Sequence, residues 1–126
     1  MRKPRAIALS SLALAIALAT LAFAHDHGAG TKGSWKGEIV DMACYLPHAA
    51  KGAGHADCAK KCVKAGEPMG LLLDDGDLVL LMADHEQGEP FEQAKELAGS
   101  KVEVTGTLSE RDGVKAVTVT GVKPAG

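Results

Sequence analysis

The chain is poor in aromatic residues, with one Trp, one Tyr and two Phe among 126 residues. Proteins that bind single-stranded nucleic acid stack bases on aromatic side chains inside a basic groove. The formal net charge is −2, so an excess of basic residues is also missing. Both shortages argue against nucleic acid and anionic membranes as partners, because an acidic protein repels phosphate groups.

Motifs for the common catalytic chemistries are absent as well. The sequence has no GxSxG, HExxH, P-loop or dinucleotide-binding fingerprint, and no acidic pair with a clear catalytic spacing. We therefore predict a protein that is not an enzyme.

Residues 1–24 have the pattern of a secretory signal. A basic start precedes an apolar run over residues 6–22, and Ala22-Phe23-Ala24 gives a cleavage site before His25. An uncleaved membrane anchor is the alternative, because the run has about the length that spans a bilayer. Cleavage leaves 126 − 24 = 102 residues with a net charge of 11 − 16 = −5. We expect one small domain, located in the periplasm or secreted, with no membrane contact after cleavage.

The N-terminal part of this mature chain differs in composition from the rest. Residues 25–33 contain three glycines and no apolar residue larger than Ala. Such a segment cannot bury enough surface to become ordered by itself. We predict a flexible, histidine-containing tail over residues 25–33 and a folded domain over residues 34–126.

Five segments of the domain have the composition or the alternation of β-strands. The first is residues 35–42, and the apolar runs 71–73 and 78–83 form a hairpin around an Asp/Gly turn. Apolar and polar residues alternate over residues 102–108 and around residues 117–119, which predicts a second hairpin.

Two segments favour helices. Residues 89–98 have apolar residues at helical spacing, with Pro90 suited to the first turn and Gly99 to the end. A shorter helix is predicted over residues 57–64. The order of these strands and helices along the chain predicts a mainly β protein, a small five-stranded OB-like barrel. One helix lies between strands 3 and 4, and a short cysteine-bearing helical insertion follows strand 1. An open five-stranded sheet with one covering helix is the alternative.

Five potential metal ligands lie within nineteen residues: Cys44, His48, His55, Cys58 and Cys62. All three cysteines of the chain belong to this group, and an odd number cannot pair completely within one chain. If residues 55–64 are helical, His55, Cys58 and Cys62 share one face. Cys44 at the end of the first strand completes a set of donors for zinc, or for Cu(I) bound by thiolates alone. His48 is a second candidate for the nitrogen ligand.

Two other interpretations of these cysteines stay open. A disulfide from Cys44 to Cys58 or Cys62 would stabilise a small domain by about 3 kcal/mol. Thiol redox chemistry is favoured by the neighbouring lysines, but a C-x3-C spacing is not that of the C-x2-C oxidoreductases. Asp41, three residues before Cys44, has two interpretations. The more common one is a turn former, and the other is a group that hydrogen-bonds a backbone N–H of the insertion or orients a ligand histidine.

The new N-terminus is a second candidate metal site. If cleavage occurs before His25, the chain begins His25-Asp26-His27. A free amine with a histidine third in sequence offers a square-planar nitrogen set that suits Cu(II) or Ni(II). A histidine-bearing tail that only increases solubility is the alternative.

Three stretches of the chain carry a resemblance to known sequences: residues 37–44, 55–62 and 102–106. They are similar to a G-x-[IV]-x-D-x-x-C motif, a C-A-x-x-C segment and a closing V-x-V-x-G hairpin. This combination resembles a set of small exported bacterial proteins of uncharacterised function. The resemblance implies an exported single domain and supplies no reaction. We therefore predict a binding or sensing protein, with a metal ion or a periplasmic protein as its partner.

Overall fold

The structure is a computed structural model that describes residues 30–126. The predicted signal over residues 1–24 lies outside the described residues, as do His25 and His27. Among residues 30–126, no helix is long and apolar enough to span a membrane.

The described residues form a closed barrel of five strands in the order β1-β2-β3-β5-β4. The strands are β1 (Thr31–Asp41), β2 (Met69–Leu73), β3 (Leu78–Ala83), β4 (Lys101–Arg111) and β5 (Val114–Pro124). Neighbouring strands are antiparallel except β3 and β5, which pair in parallel. The prediction of a five-stranded OB-like barrel is confirmed, and the alternative of an open sheet is wrong.

The chain also forms three α-helices and one 3-10 turn within residues 30–126. They are α1 (Met42–His48), the 3-10 turn Ala53–His55, α2 (Ala56–Lys64) and α3 (Glu89–Glu96). Helix α3 lies between strands 3 and 4 as predicted, with Pro90 in its first turn. Helix α2 begins one residue before the predicted start and ends at the predicted residue.

The barrel encloses an aliphatic core. Val104 on β4 and Val117 on β5 are fully buried, as their alternation with polar residues predicts. Helix α2 adds Ala59 and Val63 to the same core, with relative exposures of 1% and 0%. The insertion after strand 1 is therefore packed on the barrel through one face of α2.

Strand β1 begins earlier and ends earlier than residues 35–42. It starts at Thr31 because its polar first half pairs with β4, in a register that runs from Thr31 opposite Leu108 to Glu38 opposite Lys101. Residues 31–33 of the predicted tail therefore belong to the barrel. The sequence pattern missed them because backbone pairing, rather than apolar burial, holds this half of the strand.

The prediction that Cys44 lies at a strand end is wrong, because β1 stops at Asp41 and Cys44 lies in α1. The whole insertion leaves and rejoins the sheet at one place. Asp41 is the register partner of Met69, and the Met42 N–H donates to the Pro68 carbonyl oxygen at 2.9 Å.

Gly99 allows α2 to lie directly against the barrel. Its φ angle is +79°, which favours glycine, and a Cβ atom here would lie 2.4 Å from the Cα of Ala56. The Gly99 N–H also donates to the Ile39 carbonyl oxygen at 2.7 Å. The position of the first residue of α2 is therefore fixed against β1 and the end of α3.

The buried face of β4 gives a first prediction, for Val104→Asp. A carboxyl group without a partner in the core costs several kcal/mol even when it protonates. That cost is comparable with the total stability of about 5–15 kcal/mol expected for a domain. We expect loss of the cooperative thermal transition in circular dichroism, while Ser109→Asp, on the exposed end of the same strand, keeps it. Wild-type stability of Val104→Asp would contradict the barrel assignment.

Candidate metal centre

The centre is built around the carboxylate of Asp41, the last residue of β1. Its relative exposure is 0%. Oδ1 accepts a hydrogen bond from the backbone N–H of Cys44 at 2.8 Å, and Oδ2 lies 2.9 Å from Nε2 of His55. Asp41 has an extended backbone and caps the N-terminus of α1 by the first of these bonds. One side chain therefore ends a strand, starts a helix and holds the 3-10 turn before α2.

The charge of Asp41 is stabilised in this buried place. Burial raises the pKa of Asp41, but hydrogen bonds from the Cys44 backbone, from His55 and from the Cys44 thiol outweigh it and lower the pKa below its ordinary value. An ionised carboxylate can only accept hydrogen bonds, so Nε2 of His55 carries the proton. In the neutral form of this imidazole the lone pair is therefore on Nδ1.

The three cysteines meet at one point between two helices. Cys44 lies in α1, and Cys58 and Cys62 lie one turn apart in α2. The three sulfur atoms are all within 4.8 Å of one another. All three are free thiols, with Cys58 exposed and the other two half-buried. The sequence prediction that the cysteines converge is therefore supported by the geometry.

The thiols of Cys44 and Cys62 hold their protons tightly in the absence of a cation. Burial raises the pKa of Cys44 to about 11, with further contributions from the Asp41 carboxylate and the other two thiols. Burial also raises the pKa of Cys62, and the neighbouring Cys58 adds to this shift. At neutral pH, ionisation of these thiols therefore requires a positive charge at the centre of the cluster.

A second group of donor atoms shares Cys44 with the first. Donor atoms of Asp41, Cys44 and His55 also lie within 4.8 Å of one another. The predicted set of one imidazole and three thiolates is thus divided into two groups of three. The reason is that His55 precedes the first residue of α2 and its ring is bound by Asp41, so it does not join Cys58 and Cys62.

Of the other predicted nitrogen ligands, His48 lies in the described part of the chain and is not part of either group. His48 is the last residue of α1 and is exposed. His25 and His27 lie outside the described residues. The sequence contained one signal for the buried Asp41 carboxylate, the D-x-x-C spacing of Asp41 and Cys44. At the start of a helix, an Asp side chain accepts a hydrogen bond from the backbone N–H three residues later. The structure gives Asp41 both the capping role and the bond to His55.

Comparison of the chain with protein-family models, with curated proteins and with solved structures gives no match. The residues of the centre themselves are therefore the basis for a functional proposal.

The buried carboxylate gives a second prediction. Asp41→Ala removes the helix cap, a loss of about 1 kcal/mol, and leaves the His55 N–H without its partner, a loss of about 1–3 kcal/mol. Asp41→Asn retains a cap and should lose less. We expect this order in the free energy of unfolding from urea titrations at pH 7, with Glu110→Ala as an exposed control.

The pH dependence of the same variants has a defined sign. Because the pKa of Asp41 is lowered by folding, its charge stabilises the fold above the unfolded pKa of about 3.9. This contribution is lost as the pH falls through the folded pKa. The difference in the free energy of unfolding between the wild type and Asp41→Asn should therefore shrink in acid, and a constant difference would contradict the stabilising role of the Asp41 charge.

Proposed function

We propose that the protein is an exported metal-binding protein that holds one soft ion through the thiolates of Cys44, Cys58 and Cys62. The observation that carries this proposal is the approach of three sulfur atoms from two helices to within 4.8 Å. Thiolates prefer Cu(I) and Zn(II) among common biological ions. With metal–sulfur bonds of about 2.3 Å, sulfur atoms around one ion lie about 4 Å apart, so binding requires only small movements of the side chains.

The arrangement of His55 favours Cu(I) over Zn(II). A structural zinc site has four protein ligands, whereas thiolates alone can hold Cu(I). The imidazole of His55 is hydrogen-bonded to Asp41 and belongs to the other donor group. A fourth ligand from His55 would require its ring to turn toward the sulfurs, and three-coordinate Cu(I) has no such requirement.

The site is open to ions from solution. Cys58 is exposed, while Ala59 and Val63 anchor the same helix in the core. An ion can therefore enter and leave without opening of the barrel. This exposure fits binding or sensing of an ion better than a permanent structural ion, which is held in a closed site.

Two other functions use the same thiols, and the structure offers them less support. A redox-active cysteine has a lowered pKa, but the pKa values of Cys44 and Cys62 are raised. A disulfide staple needs a bonded pair, and all three cysteines are free. Thiol counting on protein isolated from the periplasm distinguishes a staple, with one thiol left, from a reduced metal site with three.

The proposal predicts the behaviour of Cys62→Ser. Loss of one of three ligands should weaken Cu(I) binding by about 100-fold or more in a competition titration with a chromophoric chelator, with the far-UV circular dichroism unchanged. His85→Ala, an exposed histidine distant in sequence from the cluster, should match the wild type. Because binding displaces protons from thiols with raised pKa values, the wild-type affinity should fall as the pH falls.

A matched variant separates the two ions. His55→Gln keeps a hydrogen-bond donor for Asp41 but removes the imidazole. Cu(I) affinity should stay within about threefold of the wild type if three thiolates suffice. A large loss would show that the imidazole is a fourth ligand, as in a zinc site. Absence of bound metal in the wild type, together with one intact disulfide, would overturn the proposal.

A further inference from the structure

A separate cleft of about 330 Å³ is lined in part by Tyr45 of α1 and by Lys51 of the loop that leads to the 3-10 turn. Its volume is at the lower end of the range for small-molecule sites, about 300–1,000 Å³. The polar groups around it come from five parts of the chain: β1, α1, the loop before the 3-10 turn, the β2–β3 turn and β4. These groups are Glu38, Tyr45, Lys51, Asp74 and Lys101.

Glu38 is the buried acidic group of this cleft. Its relative exposure is 8%, and one carboxylate oxygen accepts a hydrogen bond from the Gly52 N–H. Within residues 30–126, its other oxygen has no hydrogen-bond partner and its carboxylate forms no ion pair. Since no buried side-chain oxygen among the described residues lacks a hydrogen-bond partner, this second oxygen is open to solvent at the cleft and is free to accept a hydrogen bond from a ligand.

The basic groups of the cleft are in two different situations. Lys101 lies opposite Glu38 in the β1–β4 register, but its ammonium group binds Asp74. Lys51 is exposed and has no ion pair in the described part of the chain. The cleft therefore presents one unpaired carboxylate and one unpaired ammonium group that do not neutralise each other.

We propose that this cleft binds a small zwitterion, an α-amino acid, with its ammonium group on Glu38 and its carboxylate on Lys51. A simple cation would be attracted by Glu38 but repelled by Lys51. A simple anion would be attracted by Lys51 but repelled by Glu38. Only a ligand with both charges satisfies both groups. Tyr45 also lines this cleft. This site is independent of the thiol cluster.

The test uses ¹⁵N-labelled full-length mature protein, reduced and free of metal, so that the amino acid cannot act by chelating an ion. L-alanine, methylamine and acetate are titrated separately while amide chemical shifts are recorded. We expect saturable shifts at Gly52 and Tyr45 with L-alanine. Methylamine and acetate, which each carry one of the two charges, should bind at least about tenfold more weakly.

Variants connect binding to the two charges. Glu38→Gln keeps an oxygen for the Gly52 N–H, so the loop is retained while the charge is lost. It should weaken L-alanine binding at least about tenfold, and Lys51→Met should weaken it as well. Glu110→Gln, an exposed change at the other end of β4, and Cys62→Ser should leave it unchanged.

Three outcomes would overturn the inference. They are the absence of saturable shifts with L-alanine, methylamine binding as tight as that of L-alanine, and equal losses in Glu38→Gln and Glu110→Gln. The second outcome would show that the cleft binds simple cations. Cys62→Ser disables the thiol site alone. Failure of the amino-acid proposal can therefore be distinguished from failure of the metal proposal.

Discussion

The structure of the thiol site depends on one buried charge, the carboxylate of Asp41. Removing a carboxylate from water costs several kcal/mol unless donors surround it. Here the donors are the backbone N–H of Cys44 and the ring of His55. Satisfying this charge therefore fixes the direction of α1 and the end of the 3-10 turn together. The two carboxylate oxygens of Asp41 thus help to orient both helices that carry the cysteines.

The packing of α2 on the barrel also determines where the thiols lie. In α2 each cysteine immediately precedes a core residue, with Cys58 before Ala59 and Cys62 before Val63. Neighbouring residues of a helix are about 100° apart around its axis, so packing of the core residues directs both thiols along the adjacent face. Gly99 permits the close contact that holds this helix in register. The site is thus rigid on one side and open to solvent on the other.

The sequence predicted the barrel well because alternation over residues 102–108 reports directly which side chains face the core. It predicted α3 from helical spacing and end signals, and α2 from the helix propensity of its residues. It did not predict the division of the donors, because the bond between Asp41 and His55 joins residues fourteen positions apart and depends on how the insertion folds back. The same reason applies to Glu38, whose burial follows from the Gly52 loop and not from its own strand pattern.

The two ends of the insertion meet at a single rung of the sheet, Asp41 opposite Met69. Every cysteine of the chain lies on the 27 residues between them (42 to 68). A short hairpin turn could therefore join β1 to β2 in their present register, provided that new apolar groups covered the core where Ala59 and Val63 now lie. An OB-like barrel could thus gain or lose the insertion in evolution as one contiguous segment, together with the core contacts of Ala59 and Val63.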